Sequence, residues 1–312
     1  MSFNILYAAS PILIAALGAL LTEYAGFLLI GIEGFMVLGS FGCFMLTVWT
    51  GSAALGTLIT AVLCSAGGFL LCSFVRKSGS DPFIAGIALN LAAQGLCGVL
   101  SLRFFGTGGV LRNALFTAPP LASLPLAGSL LPPQPPFVYI ALVCLATEAV
   151  FLKTTVPGFR LRATGLSAGA GSAAVVERSL DPWRYREGSW AAAAFLAALA
   201  GCAVSFRVGV YAPGGTGGRA WIALAAVYLG FRNVWGIFAA SLVFAFAENL
   251  SFGVQGLFQG AASYGVQALS GLPSALALAL YVLACRLGKE PPSRKLLRNK
   301  QPRESRPFIN EQ

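Results

Sequence analysis

Few side chains in this sequence are equipped for chemistry, and their surroundings decide which chemistry is open to them. Three carboxylates, Glu33, Glu148 and Glu248, stand in or at the ends of long apolar runs. An acidic group at helix depth costs about 2.5 to 3.5 kcal/mol to insert, so it faces protein or a water-filled path more often than lipid. Glu33 and Glu248 are therefore candidates for a solute path, while Glu148, close to Lys153, reads as interfacial. Asn249 adjoins Glu248, and Asn90 and Gln94 stand four apart, which puts two side chains on one helix face. These amides either line a polar cavity or join helices through hydrogen bonds worth about 0.6 kcal/mol each.

Other chemistries are excluded by what is missing. The chain has no histidine, so imidazole catalysis and histidine metal ligation are closed to it. Its seven cysteines lie in or beside apolar runs and none forms a CxxC pair, so they read as small packing residues, and no metal or cofactor is expected. The run GGTGG at Gly214 to Gly218 is not followed by the Lys and Ser or Thr of a phosphate loop, and AGAGS at Ala168 to Ser172 does not follow a strand. With no site for ATP, any ATP hydrolysis belongs to another subunit.

The elements that must position these groups are membrane helices. Of 312 residues, 57% are hydrophobic and 10% charged, against about 25% charged in soluble domains. Spans of roughly 20 apolar residues are predicted over 5–21, 27–49, 55–75, 82–102, 137–152, 189–206, 234–252 and 269–285. A shorter run opens at the glycine-rich turn before Arg219 and is read as a half-helix. The fold class is thus an all-α polytopic bundle of eight to ten crossings, over residues 1–286, with a basic tail from 287. A proline-rich segment, 103–136, is predicted to be an external connector. The first span is expected to stay, because no basic region precedes it and no small-residue cleavage site follows.

The longest polar segment between spans, Lys153 to Glu187, carries Lys153, Arg160, Arg162, Arg178, Arg184 and Arg186. Placing it in the cytoplasm also puts Arg76, Lys77, Arg232 and the basic tail inside and leaves only Arg103, Arg112, Arg207 and Arg219 outside. That asymmetry predicts an external amino terminus and a cytoplasmic carboxyl terminus. The net charge of +10 therefore belongs to membrane topology and lipid rather than nucleic acid. Within the segment, small residues from Ser167 to Ser179 suit a short helix that a partner can approach closely, and Asp181-Pro182 reads as a fresh helix start.

Three stretches carry a family resemblance: TEYAGFLLIGIEGFMVLGSFG (Thr22 to Gly42), VPGFRLRATG (Val156 to Gly165) and GGRAWIALAAVYLGFRNVWGIFAASLVFA (Gly217 to Ala245). They resemble ABC importer permeases of the branch served by nucleoside-type basic membrane lipoproteins, related to ribose-type sugar permeases. The resemblance runs from about Ala8 to Ala284. It implies a bacterial inner-membrane permease that works with a second permease, two copies of an ATPase and an external substrate-binding lipoprotein. It further implies that the segment after Arg162 and Gly165 docks on the ATPase through Ser167, Ala170, Ala174, Glu177 and Arg178. The implied cargo is a heteroaromatic ribosyl or ribityl solute, riboflavin ahead of nucleosides. The chain departs from the family pattern at Ser167-Ala168, where a polar residue and a proline are expected, and in the added length of DPWRYRE. A proton-coupled secondary transporter using Glu33 or Glu248 is the alternative reading. A membrane-embedded enzyme ranks last, for want of clustered His, Cys, Asp or Glu.

Overall fold

A computed structural model describes residues 5–116, 135–167, 181–257 and 279. Six of its helices are long and apolar enough to cross a membrane: α1 (Ile5–Tyr24), α2 (Ile32–Thr50), α3 (Ala53–Ser78), α4 (Pro82–Phe105), α5 (Pro136–Thr154) and α7 (Pro182–Val208). Between α5 and α7 lies α6 (Val156–Ser167), and after α7 come the short α8 (Arg219–Leu229) and then α9 (Val234–Leu257). The chain is the all-helical membrane bundle that its composition predicts, with α8 as the half-helix. The span over 269–285 and the basic tail lie outside the described residues.

Local chemistry sets several of the helix starts. Asp81 and Asp181 each precede a proline at the first helical position, and each accepts a hydrogen bond from the backbone N–H two residues on, at 2.8 and 3.0 Å. This pairing satisfies an orphan N–H and uses a residue with none to lose. The structure differs from the sequence reading in several places, among them the ends of three elements: the helix predicted over 189–206 starts already at Pro182. Helix α1 runs through the supposed polar link to Tyr24, because the Thr22 hydroxyl is buried, donating to Ala19 and accepting from the Leu29 N–H. Helix α2 starts five residues late, at Ile32 rather than Phe27. In the proline-rich connector, β1 (Leu111–Arg112) pairs antiparallel with β2 (Val210–Tyr211), a ribbon too short to show any alternation in sequence.

The bundle is organised around α1 and α7. Lipid is as apolar as leucine, so helices associate through close packing rather than through removal of apolar surface from water. Alanines of α7, among them Ala193, Ala194, Ala197 and Ala198, are fully buried against α1, α2 and α3. Glycines meet them: Gly18 of α1 lies on Ala193, Gly39 of α2 on the Ala198 backbone, and Gly68 of α3 on Trp190 and Ala194. Gly201 of α7 in turn lies on the backbone of Met36 and Ser40. Ser40 and Ser205 close this seam with a hydroxyl pair at 2.5 Å. By contrast α4 is mostly exposed and touches chiefly α2.

Contacts also sort the charged residues to one end. Arg76 at the end of α3 pairs with Glu187 at 3.4 Å and with Asp181 at 3.8 Å, and Arg160 donates to the Tyr185 hydroxyl at 3.4 Å. Arg232 pairs with Glu23 at the end of α1. This basic end thus unites the carboxyl ends of α1, α3 and α5 with the start of α7.

Added side chains in the α2–α7 seam should separate the helices. Gly39→Leu and Gly201→Leu are each expected to cost about 1 to 3 kcal/mol, read as a lowered melting temperature in detergent. Gly95→Ala, on the open face of α4 with no atom within 4 Å of its new methyl, should melt like the parent.

Candidate functional site

The turn before α8 is shaped to present backbone N–H groups to a carboxylate. Gly217 and Gly218 have φ of 57° and 74°, left-handed values that only glycine adopts without strain. That path turns the Gly218 N–H and then the Ala220 N–H toward Glu33, whose Oε1 and Oε2 accept them at 3.3 and 3.1 Å. The Thr216 hydroxyl donates to Oε1 at 2.6 Å. Glu33 is 7% exposed, so its charge is sheltered by these donors and by the positive end of the α8 dipole.

The first residue of α8 makes the second half of the site. One terminal nitrogen of Arg219, Nη1, donates to the carbonyl oxygens of Gly215 and Thr216, at 3.0 and 3.1 Å, the second of which also accepts from the Arg219 backbone N–H. The other, Nη2, lies 2.5 Å from Oε1 of Glu248 on α9. Arg207, from the last turn of α7, approaches the same oxygen at 3.7 Å. Two guanidinium groups thus share one carboxylate. Arg207 Nη1, Glu248 Oε2 and Asn249 Nδ2 are buried and lack a hydrogen-bond partner among the described residues. Such atoms are polar hooks, because an unmade hydrogen bond in a low-dielectric interior costs about 1 to 3 kcal/mol.

The predicted path residues therefore divide. Glu33 and Glu248 meet at opposite sides of the α8 start, bridged by Thr216 and Arg219. Asn90 is not with them: its Oδ1 accepts from the Gly34 N–H at 2.7 Å and its Nδ2 donates to the Ile30 carbonyl at 3.2 Å, tying α4 to the start of α2. Gln94 is exposed on α4, so helical spacing did not carry the two amides into one cavity. Glu148, read as interfacial, is 6% exposed in α5, with both oxygens unpartnered among the described residues. Arg207 and Arg219, counted as external loop charges, lie inside the bundle on Glu248. An arginine opening a short apolar run was the available signal for Arg219; nothing local marked Arg207.

Of the residues assigned to ATPase docking, Arg162, Gly165 and Ser167 fall at the basic end. Arg162 and Gly165 lie on α6, a helix that the sequence reading missed, and Ser167 is its last residue. Arg162 stacks on Phe159 at 4.6 Å, and its buried Nε has no hydrogen-bond partner among the described residues. Gly165 packs on the Tyr24 carbonyl, where an added Cβ would collide, and that Cβ would also lie 3.2 Å from the Gly26 nitrogen. Ala170, Ala174, Glu177 and Arg178 lie outside the described residues.

Loss of the Glu33 carboxylate should loosen α8. Glu33→Ala orphans the Thr216 hydroxyl and two N–H groups, and is expected to cost about 1.5 to 3 kcal/mol. Glu33→Gln keeps one acceptor and should cost less, the order being read from thermal unfolding in detergent.

Comparison with known proteins agrees with this architecture. Residues 1–284 match the family model described as branched-chain amino acid transport system, permease component. No curated protein and no solved structure matches the chain. A family match over nearly the whole length, on a bundle of membrane-crossing helices with a buried half-helix, places the chain in that family of ABC-type permeases, as a subunit for transport across a membrane.

Proposed function

We propose that this permease subunit imports a small heteroaromatic solute with a ribosyl or ribityl chain, riboflavin ahead of nucleosides, across the bacterial inner membrane. The observation that carries the path assignment is the α8 start, where Arg207 and Glu248 each keep a buried polar atom with no hydrogen-bond partner among the described residues, Asn249 following Glu248 on α9. A neutral solute rich in hydroxyl and ring amide groups has the donors and acceptors to use them. The choice of cargo is supported by the likeness of Thr22 to Gly42, Val156 to Gly165 and Gly217 to Ala245 to nucleoside-type permeases. The family description favours a second cargo, a branched-chain amino acid.

In this reading the basic end faces the cytoplasm, as the clustering of Arg76, Arg160, Arg184 and Arg232 favours. An ATPase dimer grips the segment after α6, a second permease completes the pore, and an external lipoprotein delivers the solute. ATP binding then alternates the side to which the pore opens. Proton coupling is less well served, since both carboxylates are already engaged within the protein, Glu33 by Thr216 and backbone N–H groups and Glu248 by Arg219.

Vesicle uptake tests the reading. With the ATPase, second permease and lipoprotein present, riboflavin or uridine should accumulate only with ATP and regardless of a protonophore. Accumulation of leucine alone would replace the cargo, and uptake by this chain alone under a pH gradient would replace the mechanism. Glu248→Gln keeps the shape of the site but removes the charge between the two arginines. It should lower uptake about tenfold, equivalent to about 1.4 kcal/mol, while ATP hydrolysis by the complex persists.

A further inference from the structure

Tyr24 holds two elements at once. Its backbone carbonyl is the surface on which Gly165 of α6 packs. Its hydroxyl donates to the Arg232 carbonyl at 2.5 Å, in the turn between α8 and α9. Beside it Glu23 forms an ion pair with Arg232 and accepts from the Tyr228 hydroxyl at 3.3 Å. Arg162 and Glu148 are both close enough to act electrostatically on the Tyr24 phenol. The end of α1 is therefore the joint between the helix that leads to the docking segment and the half-helix of the solute site.

The far side of the joint is built to move as one piece. Phe231 and Arg232 have φ of 52° and 55°, two successive non-glycine residues in the left-handed region. Such conformations cost about 1 to 3 kcal/mol each and persist only where the surroundings over-determine them. Here the turn is closed by the Arg232 N–H on the Val227 carbonyl at 3.0 Å and the Asn233 N–H on the Gly230 carbonyl at 3.0 Å. The Gly236 backbone packs directly on Gly230, so α8 and α9 form a tight hairpin. The opposite end of that hairpin carries Arg219 and Glu248.

We propose that Glu23, Tyr24 and Arg232 are positioning residues that transmit displacement of α6 to the α8–α9 hairpin, so that the docking segment and the Arg219–Glu248 site change state together. The proposal rests on the reading of α6 as the lead-in to the ATPase. Movement of α6 pushes on the Tyr24 backbone, and the Tyr24 hydroxyl with the Glu23–Arg232 pair carries it into the turn. Since α8 is only 11 residues, about 16 Å long, a shift at Arg232 reaches Arg219 through a single rigid element.

Spin labels on the complete complex in nanodiscs test this, with the native cysteines replaced. Labels at Ala163→Cys on α6 and Trp221→Cys on α8, both exposed, are each paired with Leu91→Cys on α4. Distances are read before and after trapping with ATP and vanadate. In the parent both distances should shift. In Glu23→Gln/Tyr24→Phe the α6 shift should persist while the α8 shift falls by more than half, with ATP hydrolysis retained as the sign of assembly. Tyr24→Phe alone, which loses a single hydroxyl, should give an intermediate loss and serves if the double variant fails to assemble. An unchanged α8 shift in the variants, or no α8 shift in the parent, overturns the relay. No α6 shift in the parent instead overturns the docking assignment on which it rests.

Discussion

A carboxylate placed against the open end of a short buried helix is the constraint that the rest of this structure satisfies. Helix α8 cannot cross a hydrocarbon layer of about 30 Å, so its first N–H groups need acceptors from within the bundle. Glu33 supplies the acceptors. For Glu33 to be there, α2 must start at Ile32 instead of Phe27, and the turn before α8 must adopt backbone angles that exclude side chains at Gly217 and Gly218. Asn90 in turn fixes the start of α2, through the backbone of Gly34 and Ile30. A chain of single polar contacts thus runs from α4 through α2 to α8.

Against that polar chain stands an apolar seam made almost entirely of small residues. The α2–α7 contact, with Gly39, Ala198, Gly201 and the Ser40–Ser205 pair, brings two backbones together without large side chains between them. Close backbone approach makes such a seam unforgiving of added volume, hence suited to a fixed part of a moving protein. The α8–α9 hairpin packs its apolar face on α1 as well, but its two ends are fixed by polar contacts, to Glu33 and Arg207 at one and to Glu23 and Tyr24 at the other. Directional bonds of this sort can be exchanged for others, whereas interlocked backbones cannot.

What the sequence disclosed follows from the range of the interactions concerned. Helix α7 was legible because Asp181 and Pro182 encode its start within two residues, and α8 because a glycine run and Arg219 bracket a run too short to cross. Helix α6 was not, since VPGFRLRATGLS carries a proline, two glycines and no apolar period; it is held by packing of Gly158 on Phe151 and of Gly165 on Tyr24. The partners of Glu33 and Glu248 were equally hidden. Thr216 lies 183 residues from Glu33, and no spacing rule reaches so far. The same limit hid the pairing of Arg207 and Arg219, whose shared carboxylate comes later in the chain.

The brevity of α8 also has a bearing on biogenesis. An 11-residue helix that opens on an arginine has too little greasy length to partition into lipid by itself as it leaves the ribosome. Its entry depends on Glu33, which is synthesised earlier, and on Glu248, which emerges only with α9. The segment from Arg219 onward must therefore wait at the translocation machinery until α9 arrives, and the two enter together as a helical pair.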